Sequence, residues 1–194
     1  MEATATHLNI IDIFMAFVIA GVISWGAREG IITEIFKLLG VFCAIFVTLH
    51  YYAGFADFLK VQFFGEDVST ELFALTVLGV LTFVTFILIS KGWVLILKIK
   101  IHEKIDRYGG IVLSLVESYF ACGLIFFALL LANYDYVLTK TRQSMSRNIF
   151  GYVAVDFYRA TYSNVIEKFF PSEKINEEAF KVITEKKKKK KKKR

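Results

Sequence analysis

The sequence predicts an all-α integral membrane protein: a bundle of four transmembrane helices, followed by an amphipathic helix and a disordered polylysine tail. Composition is the first observation behind this class, because 56% of the 194 residues are hydrophobic, more than in ordinary soluble domains. The second is the mean hydropathy of +0.53, in a chain with one proline and twenty phenylalanines. The third is a set of four long apolar stretches.

The four apolar stretches cover residues 10–25, 31–52, 72–90 and 111–132. About 20 apolar residues in a helix cross the hydrocarbon core of a bilayer, so each stretch is a candidate span. Lipid offers the backbone no hydrogen-bond partners, and a helix satisfies its own, so the spans are predicted to be helical. The sequence therefore predicts a four-helix transmembrane domain over residues 1–132.

The chain after residue 132 is predicted to stay outside the hydrocarbon core. Residues 144–170 alternate apolar and charged positions at helical spacing, which predicts an amphipathic helix lying in the interface or packed on the bundle. Residues 171–194 are predicted to form a short helix and a basic low-complexity tail with nine consecutive positive charges. Two alternatives remain for the tail: a solvated segment, or one that contacts anionic lipid.

Loop charges predict an orientation in the membrane. The loop 53–71 carries four acids against Lys60 alone, whereas the loop 91–110 carries five basic residues against two acids. Cytoplasmic loops are enriched in Lys and Arg, so the second loop is expected inside and the first outside. With four spans, both termini are then expected outside, and the leader is expected to be retained because it lacks a basic segment.

Small residues recur on one face of each predicted span, which is typical of membrane helices that pack closely. The pattern leaves two interpretations open, packing within one bundle or a face left over for a homo-oligomer or a membrane-protein partner. The candidate packing residues are Ala16, Ala20, Ser24, Gly40, Ala44, Gly79, Gly110 and Ser114.

Charged residues at the ends of the apolar stretches are the other candidates for structure or function: Asp12, Arg28, Glu29, Glu34, Asp106, Arg107 and Glu117. Asp12 is expected to accept hydrogen bonds from free N–H groups at the start of its own helix, with a proton relay as the alternative. Glu29 and Glu117 are each expected to find a cationic partner or to be protonated. The candidate partners are Arg28, Lys37, Lys98 and Arg107, and the alternative for Glu117 is exposure to water.

The sequence contains no pattern typical of catalysis or of cofactor binding. His7, His50 and His102 are isolated, and Cys43 and Cys122 lie singly in apolar stretches, so no metal site and no disulfide framework are expected. No phosphate-binding loop and no nucleophile motif is present. We therefore expect no enzyme activity, no cofactor and no specific nucleic-acid partner; the lipid bilayer is the expected surrounding.

Two stretches of the chain resemble the colicin V production protein (CvpA) family, bacterial inner-membrane proteins with four predicted spans. They are IDIFMAFVIAGVISWGAREGIITEIFKLLGVFCAIFVTLHYY (11–52) and EKIDRYGGIVLSLVESYFACGLIFFALL (103–130). Within them the likeness rests on Asp12, Gly30, Glu34, the HYY at 50–52 and the Asp-Arg at 106–107. The stretch SMSRNIFGYVAVDFYRATY (144–162) lies where the family has a last amphipathic helix.

The resemblance implies a role in colicin V (toxin) production and export and in envelope homeostasis, in the bacterial inner membrane. We expect this role to be non-enzymatic, as a scaffold or accessory factor, and the loop charges then place both termini in the periplasm. The alternative is a small oligomeric transporter or channel subunit. This chain departs from the family pattern at two basic positions. Glu29 stands where the family has an Arg before the glycine, and Glu117-Ser118 stands where it has Arg-Gly, so both basic positions of the family are acidic in this chain.

Overall fold

The computed structural model describes residues 9–64, 69–97, 102–132 and 134–183. Four long helices come first: α1 (Ile10–Glu29), α2 (Ile31–Leu59), α3 (Ser69–Leu97) and α4 (Glu103–Leu131). Short helices follow: α5 (Asp135–Gln143), α6 (Ser146–Phe150), α7 (Val153–Thr161), α8 (Glu167–Phe169) and α9 (177–183). The predictions for the leader, for Lys98 and for the polylysine tail fall outside the described residues.

The prediction of an all-helical protein with four spans is confirmed. Each of α1 to α4 contains a segment long and apolar enough to cross a membrane, and the described residues contain no strand. The fourth helix is longer than its apolar stretch, because it begins at Glu103 and continues through Gly109 and Gly110. The helix runs through these two glycines without a turn, and Gly110 lets α4 approach the backbone of α1 at Gly26.

A single residue, Gly30, joins α1 to α2. Its φ of +82° and ψ of 170° lie in a region that is essentially restricted to glycine. The carboxylate of Asp106 on α4 accepts a hydrogen bond from the Ile31 backbone N–H at 2.8 Å. Asp106 therefore caps the start of α2 from another helix, at what we call the Gly30 end of the bundle.

The four long helices do not pack equally. α2 lies against both α3 and α4, whereas α1 packs on α4 and has few contacts with α2 beyond their shared turn. Ile45, Leu49 and Tyr52 of α2 form the core together with Phe127 and Leu131 of α4. In this arrangement α2 and α4 are the central helices and α1 is peripheral.

Residues 144–170 do not form the single amphipathic helix that the pattern predicts. The segment is divided into α6, α7, a π-helical turn at Tyr162–Ile166 and α8, and it packs on the bundle, which was one of the two expected placements. Phe157 of α7 stacks on Phe42 at 4.8 Å and meets Phe120 at 5.2 Å between ring centroids. Both partners lie near the middle of their helices, so α7 reaches deep along α2 and α4.

Candidate functional site

Four ionisable side chains from three helices meet at the Gly30 end and form what we call the charged cluster: Glu29, Glu34, Lys37 and Glu117. The Lys37 ammonium contacts the Glu34 carboxylate and lies 3.2 Å from Glu29 Oε2. Glu117 lies directly beside Glu34. Glu34, Lys37 and Glu117 are 0%, 2% and 3% exposed, so the cluster is almost completely enclosed by protein.

Helix geometry explains how these four residues meet. Glu34 and Lys37 are three residues apart, which puts them on one face of the first two turns of α2. Glu29 ends α1, and the one-residue turn at Gly30 brings it back beside α2. Glu117, midway along α4, completes the cluster from the other side of the α2–α4 contact.

Small residues around the charged cluster leave room for its four side chains. A Cβ placed on Gly26 would lie 2.5 Å from Ser114 Cβ and 2.9 Å from Glu34 Cδ, so no larger residue fits there. A Cβ on Gly110 would lie 2.5 Å from the Gly26 carbonyl oxygen. The close crossing of α1 and α4 therefore depends on glycine at both positions, as in small-residue crossings of membrane helices.

The cluster contains more carboxyl groups than cations. The Trp25 ring lies 5.0 Å from Lys37 Nζ and adds a cation–π contact to its two ion pairs. Oε2 of Glu34 and Oε2 of Glu117 are buried and have no hydrogen-bond donor among the described residues. An unpaired charge at such a site is costly, so the cluster favours the binding of additional positive charge.

The structure places the charged residues predicted at the Gly30 end in different surroundings. Lys37, one of the candidate partners, pairs with Glu29 and Glu34. The expected cationic group, Lys37, lies in the same cluster as Glu117, but the carboxyl group directly beside Glu117 is that of Glu34. The alternative of exposure to water is wrong, because Glu117 is 3% exposed. Arg28 and Arg107 are exposed, and Asp106 is the helix cap described above.

Asp12, near the start of α1, attaches this helix to the segment 144–170. Its carboxylate accepts hydrogen bonds from Ser144 Oγ at 2.5 Å and from Ser146 Oγ and N at 2.6 and 2.8 Å. Asn9, not Asp12, is the N-cap residue of α1, so the expectation that Asp12 binds its own helix start is wrong. Asp12 instead holds the start of α6, and the serines of the SMS sequence are the partners that sequence reasoning missed.

A second polar contact missed from the sequence docks α9 on the bundle. His50 Nδ1 lies 2.9 Å from Tyr158 Oη, which also accepts a hydrogen bond from Asn176 N at 2.9 Å. Asn176 Nδ2 donates to the Leu49 carbonyl at 2.7 Å. Burial raises the pKa of Tyr158, so its hydroxyl keeps its proton and can donate to His50. The HYY sequence at 50–52 contributes to the family likeness, but its spacing does not predict Tyr158 or Asn176 as partners.

The small-residue faces divide into two groups. Gly40, Ala44, Gly110 and Ser114 are buried, and Gly79 lies against Thr48 and Leu124. Ala16, Ala20 and Ser24 are exposed on the side of α1 that faces away from α4. The expectation that this face packs within the bundle is therefore wrong, whereas its use by an oligomer or a partner stays a prediction.

Comparison with known proteins gives one match. The sequence model of the family described as Colicin V production protein matches residues 11–155. No curated protein and no solved structure matches. The matched region runs from the start of α1 into α7, so it contains the charged cluster, the Gly30 turn, and Asp12 with its serine partners. Because more than half of the chain is matched, this membrane protein belongs to the colicin V production protein family.

Proposed function

We propose that this protein is a scaffold or accessory factor for toxin production in the bacterial inner membrane, and that it binds its partner through α1. The partner is a second copy of the chain or another membrane protein. The observation that carries the proposal is the outward α1 face, formed by the exposed Ala16, Ala20 and Ser24. Family membership supports the link to colicin V production.

The composition of the outward α1 face favours a protein partner over lipid. Only 11% of the α1 span is buried within the protein, against 39% for α2 and for α4. The outward α1 face also carries the large exposed residues Ile13 and Phe17 beside its small ones, whereas the exposed side of α3 presents the large residues Val80, Leu81 and Leu88. Lipid-facing positions do not need small side chains, whereas a second helix can approach closely only where side chains are small.

Site-specific photo-crosslinking tests the proposal. A photoreactive amino acid at Ala20 is expected to give a discrete crosslinked protein species in cells that produce the toxin. The same amino acid at Leu88, exposed on α3, is the matched control and is expected to react with lipid alone. If Ala16, Ala20 and Ser24 all behave like Leu88, the outward α1 face is a lipid surface and the proposal is wrong.

A second candidate, a small oligomeric transporter or channel subunit, is favoured by a different observation. Ionisable residues buried within membrane spans often mark ion or substrate pathways, and this chain buries Glu34, Lys37 and Glu117 there. Ion flux through purified protein in proteoliposomes tests this candidate. Flux that Glu117→Gln abolishes would support it, and flux equal to that of empty liposomes would contradict it.

A further inference from the structure

We propose that Glu34 and Glu117 form a carboxyl–carboxylate pair that binds one exchangeable proton inside the membrane-spanning bundle. The inference goes beyond the scaffold role and does not depend on the outward α1 face. It concerns the interior of the bundle, and its test uses the protein without a partner.

The groups that face the pair do not balance its charge. α1 contributes Glu29, α2 contributes Lys37 beside Glu34, and Glu117 comes from α4. The one described charge at the Gly30 end of α3, Lys91, is exposed, as are Asp156 and Arg159 of α7. Asp106 is turned toward the backbone of Ile31. One ammonium group therefore faces three carboxyl groups, and full ionisation would leave the cluster with a net charge of −2.

The position of Glu117 is a second observation, which does not depend on the α1–α2 turn, and it points to a bound proton. It reaches the other three groups from a different helix, it is 3% exposed, and its Oε2 has no hydrogen-bond donor among the described residues. Two ionised carboxylates in contact in a dry surrounding repel each other strongly. A proton held between them removes one charge and converts the contact into an O–H···O hydrogen bond, which is a short and strong type of bond.

The geometry favours a proton over a metal ion. The Lys37 ammonium already contacts Glu34, so a metal ion bound to the same carboxylate would lie beside another positive charge. The space is also small, because even a Cβ on Gly26 would lie 2.9 Å from Glu34 Cδ. The side chain of Glu29, 27% exposed, is the member of the cluster closest to the surface and gives the proton a route for exchange with water.

Infrared spectroscopy of the full chain in lipid nanodiscs, in H2O and in D2O, tests the proposal. At neutral pH the wild type is expected to show the carbonyl stretch of a protonated carboxylic acid, and the band is expected to shift in D2O. Glu117→Gln and Glu34→Gln are each expected to lose the band, because the remaining carboxylate can ionise beside Lys37. Glu103→Gln changes an exposed acid on the same helix as Glu117 and is expected to retain it.

Three results would overturn the proposal. The first is a wild-type spectrum without the band at neutral pH, which decides the question even if a variant fails to fold. The second is a band that persists unchanged in both Glu34→Gln and Glu117→Gln. The third is a band that disappears when sodium is added at constant pH, which would assign the site to a metal cation.

Discussion

At the scale of single residues, Gly30 is the position where the backbone allows the least change. Gly30→Ala would force a side chain into a φ of +82° and against the Asp106 carboxylate, whose Oδ1 would lie 2.6 Å from the new Cβ. The expected loss is about 1–3 kcal/mol, seen as a lower Tm in detergent. Gly54→Ala is the control, because a Cβ there meets nothing within 4 Å and its Tm should not fall. An unchanged Tm for Gly30→Ala would show that the turn can relax.

Asp12 gives a second prediction at this scale. Asp12→Ala removes the acceptor of the Ser144 and Ser146 hydrogen bonds and should cost about 1–3 kcal/mol of stability. Hydrogen exchange in α6 should rise at the same time, because its start loses its attachment to α1. Asp156→Ala, an exposed acid in the first turn of α7, should change both quantities much less. Equal effects of the two variants would mean that the contact does not stabilise the fold.

The hydrogen bonds and the burial of Tyr158 predict that its substitution changes both the stability of the protein and the pH dependence of that stability. Tyr158→Phe leaves Asn176 N and His50 without their partner and should cost about 1–2 kcal/mol, with faster hydrogen exchange in α9. Burial raises the pKa of Tyr158 above that of the unfolded chain, so the folded state binds the proton more tightly. The resulting stability is fully present below about pH 10 and is lost as the pH rises further. Tyr158→Phe should show a weaker loss at alkaline pH, and an identical alkaline profile would contradict this.

The charged residues that need a partner could be predicted from the sequence, whereas the side chains that contact them could not. The sequence singled out Asp12, Glu29 and Glu117 because charges are costly beside hydrocarbon. Ser144 and Ser146 lie more than 130 residues from Asp12 along the chain, and no local periodicity connects them. Glu117 meets Glu34 because α4 crosses both α1 and α2, and that crossing depends on Gly26 and Gly110, which the spacing pattern did not pair.

At the scale of helices, the packed side and the exposed side of α1 are expected to respond differently to a new leucine side chain. The leucine is placed either on α4 opposite Gly26 or on the exposed side of α1 itself. Ser114→Leu places a branched side chain where Gly26 meets α4 and should cost about 3 kcal/mol or more, because the backbones must separate. Ala20→Leu lies on the exposed side and should leave the Tm in detergent unchanged. In cells, Ala20→Leu should nevertheless reduce toxin export. A fall in Tm for Ala20→Leu would show that the outward α1 face packs within the bundle.

Long apolar stretches were sufficient to predict α1 to α4, because length and hydropathy decide whether a helix can cross a membrane. The segment 144–170 was harder to predict. Its apolar and charged positions fit one helix, but Phe150 and Phe157 pack into different parts of the bundle, on α1 and on α2. The chain bends between them, so tertiary contacts override the local periodicity.

At the scale of the whole molecule, the orientation in the membrane is the first prediction. Cysteine introduced at Lys104 should react with an impermeant reagent only after the cells are opened, whereas cysteine at Lys60 should react in intact cells. The reason is the excess of basic residues in the loop 91–110. Cys43 and Cys122 lie within spans, and the chain without them is the background for labelling. Labelling of position 104 in intact cells would reverse the orientation.

The mass of the particle in lipid nanodiscs tests the central claim, that the outward α1 face binds a partner. Protein taken up directly from membranes of toxin-producing cells is expected to contain more than one 22.2 kDa chain, or one chain with a second protein. Ala20→Leu is expected to shift the particle to the mass of a single chain while its Tm stays unchanged. A wild-type particle with the mass of one chain alone would contradict the account.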